Sequence, residues 1–226
     1  PAAIPTYLMC QAAQNSGFKV ALTGDGADEL FGGYNRYTLA PGIWNLFSKL
    51  NPKLRPYVSK LISYLPSNFG EFISMPQFKE RVDKLSYRLQ YSDSLDDLYQ
   101  LLVREWYDIS LLINNYENEF KYEIAICKNL NNFKLNPISK MMALDCLSYL
   151  TDNNQVKIDR ASMAVSLEAR SPFLDINVVS SCWKISENLK VNKSQGKYIL
   201  KEILCNYIPK ELFERHKSGS ATPIKD

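Results

Sequence analysis

Residues 18–23 make a short, nearly continuous apolar run that empties into a glycine-bracketed turn, Gly24-Asp25-Gly26-Ala27-Asp28-Glu29, and then into Leu30 and Phe31. A run of that length with glycines on both sides predicts a buried parallel strand, and the turn behind it predicts a helix start. Upstream, Pro5 suits a first helical turn. Leu8, Met9, Ala12 and Ala13 recur at helical spacing until Asn15-Ser16-Gly17 ends the period, which gives a helix over residues 6–14. Helix, strand, glycine turn, helix is the grammar of an α/β fold.

From residue 42 to 136 the character changes to aromatic- and leucine-rich helical periods punctuated by Pro52, Pro56, Pro66 and Pro76, with no further strand signal. The chain therefore divides into an α/β segment over 1–41, a helical insertion over 42–136 and a helical remainder over 137–226. Within the insertion, Ser94 predicts a cap with Asp96 and Asp97 in the first turn, and Leu95, Leu98, Leu102 and Trp106 on one core-facing side. Residues 116–132 read as loop-rich. In the remainder, Ser139 predicts a cap for a helix carrying Met141, Leu144, Leu147 and Leu150, and Thr151-Asp152-Asn153-Asn154 breaks its period. A further helix covers 155–167, and Ile199, Leu200, Ile203, Leu204 and Tyr207 mark a last amphipathic helix closed by Pro209. The fold class is α/β, predominantly helical, with one short parallel strand.

Composition removes several functions. A formal charge of +3 from 27 basic and 24 acidic residues provides no broad field for nucleic acid or an anionic membrane surface. The apolar stretches are broken by charges every few residues, so no segment predicts a membrane span or a leader. Cys10, Cys127, Cys146, Cys182 and Cys205 are odd in number and widely spaced, which predicts reduced thiols packed as small hydrophobes in the cytoplasm. His216 is the only histidine, so histidine-based zinc sites and a Ser-His-Asp triad are excluded, and acid or base chemistry falls to carboxylates, lysines or tyrosines.

Three stretches carry candidate chemistry. The glycine turn lets backbone N–H groups approach an anion, yet Asp25, Asp28 and Glu29 repel a bare phosphate unless a cation intervenes, a conflict that magnesium with a nucleotide resolves. The bland alternative is a strand-to-helix turn whose acids complement the helix dipole. On a regular helix Asp152, Asp159 and Ser162 fall near one face, as do Lys157 and Arg160, forming either a charge network or a solvated surface. Lys197 follows Gly196 at a predicted helix start, where a cation opposes the dipole and an anionic ligand would account for it.

Together these stretches resemble the asparagine synthetase family. Residues 20–34 (VALTGDGADELFGGY) resemble the signature that follows a central strand in its synthetase domain, residues 157–163 (KIDRASM) and 167–175 (LEARSPFLD) its second signature, and residues 196–200 (GKYIL) its third. The resemblance implies a fragment of an open parallel-sheet, adenine-nucleotide α-hydrolase-like (ATP pyrophosphatase) domain with a helical insertion. It also implies a reaction, in which ATP adenylates the aspartate side chain, pyrophosphate leaves, and ammonia from glutamine, delivered by an upstream glutaminase domain, attacks the acyl-adenylate. Residue by residue, Asp25 matches the acid that orients or deprotonates ammonia, Asp28 a magnesium ligand, Gly24 and Gly26 the adenylate contact, and Lys197 the lysine that stabilises phosphate charge. Asp152, Lys157, Asp159 and Arg160 form the expected substrate or charge network. ATP and Mg2+ are the implied cofactors.

Departures from the family pattern matter as well. Asp25 stands where the best-known members have Glu, which shortens reach by one methylene and opens a different acceptor: a sugar of surface-polysaccharide synthesis or a β-lactam precursor. The phosphate-binding S-G-G-x-D-S loop and the glutaminase cysteine are not in the chain and are expected upstream of Pro1, and residues 218–221 depart from the family's tail. The isolated chain is therefore expected to be inactive. Strands missing upstream would leave a sheet edge and apolar surface bare, which predicts self-association, a homodimer being its simplest form. A non-catalytic helical interaction module is the reading of another class.

Overall fold

The computed structural model describes residues 2–66, 78–104, 130, 133–192 and 195–214. Two compact units divide the chain: Pro1–Tyr37 with Ile138–Asp226, and Thr38–Pro137.

The first unit opens with α1 (Ala3–Asn15) and β1 (Val20–Leu22). The helix is longer at both ends than the sequence predicts, and a different face is buried. Thr6 and Cys10 are covered and Ala13 packs beside them, whereas Leu8 and Met9 are exposed. Small side chains at positions 6, 10 and 13 let the helix approach β1 and a helix of the remainder closely, so volume rather than hydrophobicity selects the inward stripe.

β1 pairs in parallel with β2 (Glu168–Arg170), in the register Val20↔Glu168, Ala21↔Ala169, Leu22↔Arg170. Thr23 N–H donates to Arg170 O and Glu168 N–H to Lys19 O, extending the ladder at both ends. β2 corrects two expectations, a single strand and a helix reaching residue 167. A three-residue strand that alternates charged, small, charged has no strand signature of its own. β1 is also not buried: Leu22 is 75% and Val20 41% exposed, and only Ala21 turns into the small core of Cys10, Ala161 and Leu167.

Behind β1 the chain makes α2 (Ala27–Leu30), and α3 (Asn35–Ser48) begins at the end of the first segment. The remainder is α7 (Pro137–Leu147), a π-helical turn (Leu150–Gln155), α8 (Val156–Met163), β2, a 3-10 turn (Pro172–Leu174), α9 (Ile176–Lys184), α10 (Glu187–Lys190) and α11 (Tyr198–Leu204). Pro137 rather than Ser139 starts α7, and Ser139 donates to Glu187 Oε2 at 3.4 Å instead of capping. The Thr151-Asp152-Asn153-Asn154 stretch breaks the 3.6-residue period as the sequence predicts, by widening the helix for one turn rather than ending it. α11 sends Ile199 and Leu200 into the core of Leu30, Phe31 and Cys182 while Ile203, Leu204 and Tyr207 stay exposed, so three of the five residues of the predicted apolar face are outside.

The second unit contains α4 (Arg55–Ser63), α5 (Phe78–Tyr91) and α6 (Leu95–Val103). α4 and α5 meet through reciprocal serines: Ser59 Oγ donates to Ser86 O at 3.0 Å and Ser86 Oγ to Ser59 O at 2.8 Å. Ser94 caps α6 as the sequence predicts, its Oγ accepting from Asp97 N–H, and Leu98, Tyr99 and Leu101 are the residues turned inward. Trp106 and, apart from Leu130, residues 116–132 lie outside the described residues.

Candidate functional site

The glycine turn is built for close packing. Gly26 has φ of +89°, left-handed backbone, and a Cβ there would lie 2.3 Å from Leu174 Cδ2, so a side chain is excluded on both counts. α2 then presents Asp28 and Glu29 in opposite circumstances, the first at the surface and the second inside.

Asp28 Oδ2 is 3.1 Å from Lys197 Nζ, with the two side chains 29% and 27% exposed. The pair lies against Gly33, where a Cβ would come within 1.9 Å of Asp28 Oδ1 and 2.4 Å of Lys197 Cε. Lys197 is held from behind: its N–H donates to Phe31 O at 2.9 Å, its φ is +55°, and Gly196 is so near that a Cβ would lie 2.1 Å from Gly32 O. Lys197 thus stands at the start of α11 with a carboxylate partner, which answers the unfavourable dipole without a ligand.

Glu29 is 1% exposed. Its Oε1 accepts from the Tyr34 hydroxyl at 2.7 Å and from Asn154 Nδ2 at 2.9 Å, and Asn154 Nδ2 also reaches the Tyr34 oxygen at 3.1 Å. Lys157 Nζ donates to Asn154 Oδ1 at 3.4 Å. Burial and the Glu29 carboxylate push the Tyr34 hydroxyl above the usual phenol value, so it is a proton donor throughout the neutral range. Behind Tyr34, Arg36 makes a two-point contact with buried Asp145, Nε to Oδ2 at 2.9 Å and Nη2 to Oδ1 at 2.8 Å, and Tyr37 donates to the same carboxylate. The guanidinium lies 3.9 Å over the Tyr34 ring and 5.0 Å over Tyr149.

Of the predicted residues, the fold brings together Asp28 and Lys197, and it sets Lys157 against the Asn154 that holds Glu29. Asp25 is half-buried in the same turn, and its side chain enters no hydrogen bond or ion pair among the described residues. Gly24 faces open space. Asp152 and Asp159 are exposed while Ser162 is buried, so these three do not share a face; Arg160 is exposed and Lys157 half-buried. The π-helical turn shifts Asp152 relative to α8, whereas Asp159 and Ser162 lie one turn apart within α8, one outside and one at its buried edge.

Glu29, Tyr34, Arg36, Asp145 and Asn154 were outside the predicted network. One signal pointed inward: Asp145 is an acid inside the apolar stretch Met141-Met142-Ala143-Leu144, and buried carboxylates require partners. Among the described residues no three His, Cys, Asp or Glu side chains converge as metal ligands. Asp28 offers a single carboxylate, which suits a cation that keeps phosphate and water ligands, as magnesium does, rather than an all-protein cage. Cys10, Cys146, Cys182 and Cys205 are free thiols, and burial with the nearby Glu29 and Asp145 carboxylates pushes Cys146 up to about 12. Cys127 and the tail from residue 215 lie outside the described residues. No described helix is long and apolar enough to cross a membrane.

Comparison with known proteins bears on the same segments. Glutamine-hydrolysing asparagine synthetase 1 of Bacillus subtilis (strain 168) is 28% identical over 228 residues, covering 100% of this chain and 34% of its own length. Glutamine-hydrolysing asparagine synthetase 3 of the same organism is 34% identical over 79 residues, 35% of this chain and 13% of its own. The chain spans about a third of the length of the first of these relatives. No solved structure matches it. The asparagine synthase family profile covers residues 1–226, and the chain belongs to that family.

Proposed function

We propose that these residues are a segment of the synthetase half of a glutamine-dependent asparagine synthetase, in an open parallel-sheet ATP pyrophosphatase domain whose other strands lie elsewhere in a longer polypeptide. The carboxylate oxygen of aspartate forms a bond to the α-phosphorus of ATP, and pyrophosphate departs with the electrons of the broken P–O bond. Ammonia then attacks the acyl carbon and AMP leaves, giving asparagine. The observation that carries this reading is the Asp28–Lys197 pair at 3.1 Å, seated on Gly33 where two of the three signature segments meet.

In this reading Lys197 carries positive charge toward the phosphates, worth most in a partly buried setting where water screens it least. Asp28 would hold magnesium, which supplies charge neutralisation of the polyphosphate. Gly24, which faces open space, would leave room for the adenylate, while Gly26 makes the left-handed turn against Leu174 that shapes this loop. Asp25, free of intramolecular bonds among the described residues, is positioned to accept a proton from ammonia or orient it. Lys157 belongs to the supporting network, whereas exposed Asp152, Asp159 and Arg160 contribute surface charge. The enzyme works in the cytoplasm beside its own glutaminase domain.

A second acceptor is favoured by one observation: Asp25 is one methylene shorter than the Glu of the best-known members and has no side-chain partner among the described residues. ATP–pyrophosphate exchange in the intact polypeptide decides between the two. Exchange that requires aspartate and is lost in Lys197→Ala is the expected result. Exchange driven by another carboxylate but not by aspartate would replace aspartate as substrate, and no exchange with any carboxylate would overturn the reading.

A further inference from the structure

We propose that Asn154 is a positioning residue for this chemistry: it anchors Glu29 and, through the short α2 helix, sets Asp28 against Lys197. The inference rests on the synthetase reading above and adds a residue that the sequence motifs do not single out.

α2 has four residues, too few for a helix to hold its own geometry, so the orientation of Asp28 depends on what fixes its neighbours. On one side the fixing is by backbone: Lys197 N–H on Phe31 O, Gly33 N–H on Asp28 O at 2.7 Å, and Gly196 against Gly32. On the other side Glu29 contributes. Glu29, adjacent to Asp28, is buried, and its Oε1 takes hydrogen bonds from Asn154 Nδ2 and the Tyr34 hydroxyl.

The Asn154 amide orientation is dictated by its surroundings. Its NH2 faces two oxygens, Glu29 Oε1 and Tyr34 Oη, while Oδ1 faces the Lys157 ammonium; the flipped amide would oppose acceptor to acceptor and donor to donor. The π-helical turn Leu150–Gln155 carries Asn154 to this position. Such turns are rare and concentrate at functional sites, because they forgo regular hydrogen bonding to re-aim a side chain. Asn154 touches neither Asp28 nor Lys197 among the described hydrogen bonds, so its effect passes through Glu29 and the α2 backbone.

The test uses Asn154→Leu, which keeps the branched shape and removes the amide donors and acceptor, with Tyr34→Phe as the milder variant should Asn154→Leu fail to fold. Two quantities are read in the intact protein: the rate of Lys197 acetylation relative to Lys210, mapped by mass spectrometry, and aspartate-dependent ATP–pyrophosphate exchange resolved into kcat and KM. Loosening of the Asp28–Lys197 pair is expected to raise relative Lys197 acetylation about 5-fold and to lower exchange kcat by about 10- to 100-fold, with KM for aspartate within about twofold. A merely structural role would leave the native-state labelling of Lys197 unmoved. Unchanged Lys197 labelling, or exchange kcat within about twofold of the wild type, overturns the assignment of Asn154 while leaving the synthetase reading in place. Wild-type protein without any exchange overturns that reading and the inference with it.

Discussion

Gly33→Ala perturbs the Asp28–Lys197 pair directly. Gly33 does not occupy left-handed backbone, so alanine adopts its conformation without strain. The added methyl would lie 1.9 Å from Asp28 Oδ1, 2.8 Å from Asp28 Cγ and 2.4 Å from Lys197 Cε. Restoring van der Waals separation moves Oδ1 by roughly 1.5 Å, enough to break a pair that meets at 3.1 Å. Both clashing groups are the ends of partly exposed side chains, and the pair itself is worth about 0.5 kcal/mol, so the fold loses only about 1 kcal/mol. A displacement of that size in groups that must meet phosphate and metal costs about 100-fold in rate. Gly42→Ala is the control: a Cβ there meets nothing within 4 Å, and alanine within α3 stabilises by about 1 kcal/mol. Thermal unfolding and aspartate-dependent ATP–pyrophosphate exchange are measured on both. Gly33→Ala with a native melting profile and exchange within about threefold of the wild type would show that the pair is not part of the chemistry.

Three further outcomes follow from the packing. Arg36→Ala strips buried Asp145 of its two-point guanidinium contact and is expected to destabilise by about 3 kcal/mol in denaturant titration, with Arg36→Lys recovering little; a loss under about 1 kcal/mol refutes the account. Since the folded Cys146 thiol is pushed from 9.0 up to about 12, the unfolded chain releases its proton first as pH rises. Its contribution is therefore complete below about pH 9 and is lost toward pH 12 at no more than about 1.4 kcal/mol per pH unit; Cys146→Ala should flatten that alkaline limb, and an unchanged slope counts against the burial. The 226-residue chain alone should self-associate in sedimentation through exposed Phe18, Val20 and Leu22, and Leu22→Lys should reduce this; a monomeric wild-type chain refutes it.

The glycine turn, the strand before it and the first and last helices were legible because each rests on local chemistry: glycine where the backbone turns, periodic apolar residues, and a serine with acids behind it at α6. The partnership of Asp28 with Lys197 was legible only as two separate oddities, an acid cluster at a phosphate-like turn and a lysine at a helix start. Their contact spans 169 positions of chain, and local pattern carries no information across it. β2 was hidden because three residues in which only the middle one turns inward make no periodic signal. The inward face of α1 does not follow the apolar period: Leu8 and Met9 are exposed, while the packing calls for Thr6, Cys10 and Ala13.

The charge network failed for a more instructive reason. Grouping Asp152 with Asp159 and Ser162 on one face assumes 3.6 residues per turn throughout, and the π-helical turn puts Asp152 out of phase with α8. The same turn that scatters those charges delivers Asn154 to Glu29, so the residue that matters became invisible through the irregularity that makes it matter. Asn153 and Asn154 are indistinguishable as sequence, yet one is exposed and the other closes a triangle with Tyr34 and Glu29. Local propensity opposed an uninterrupted helix here, and the partly satisfied backbone of a π turn is the compromise that keeps the helix while turning one amide inward. A variant that regularises this turn, by deleting Asn153, should therefore abolish the Asn154–Glu29 contact. Retention of the Asn154–Glu29 contact in a structure of that variant would mean that the π turn is incidental to it.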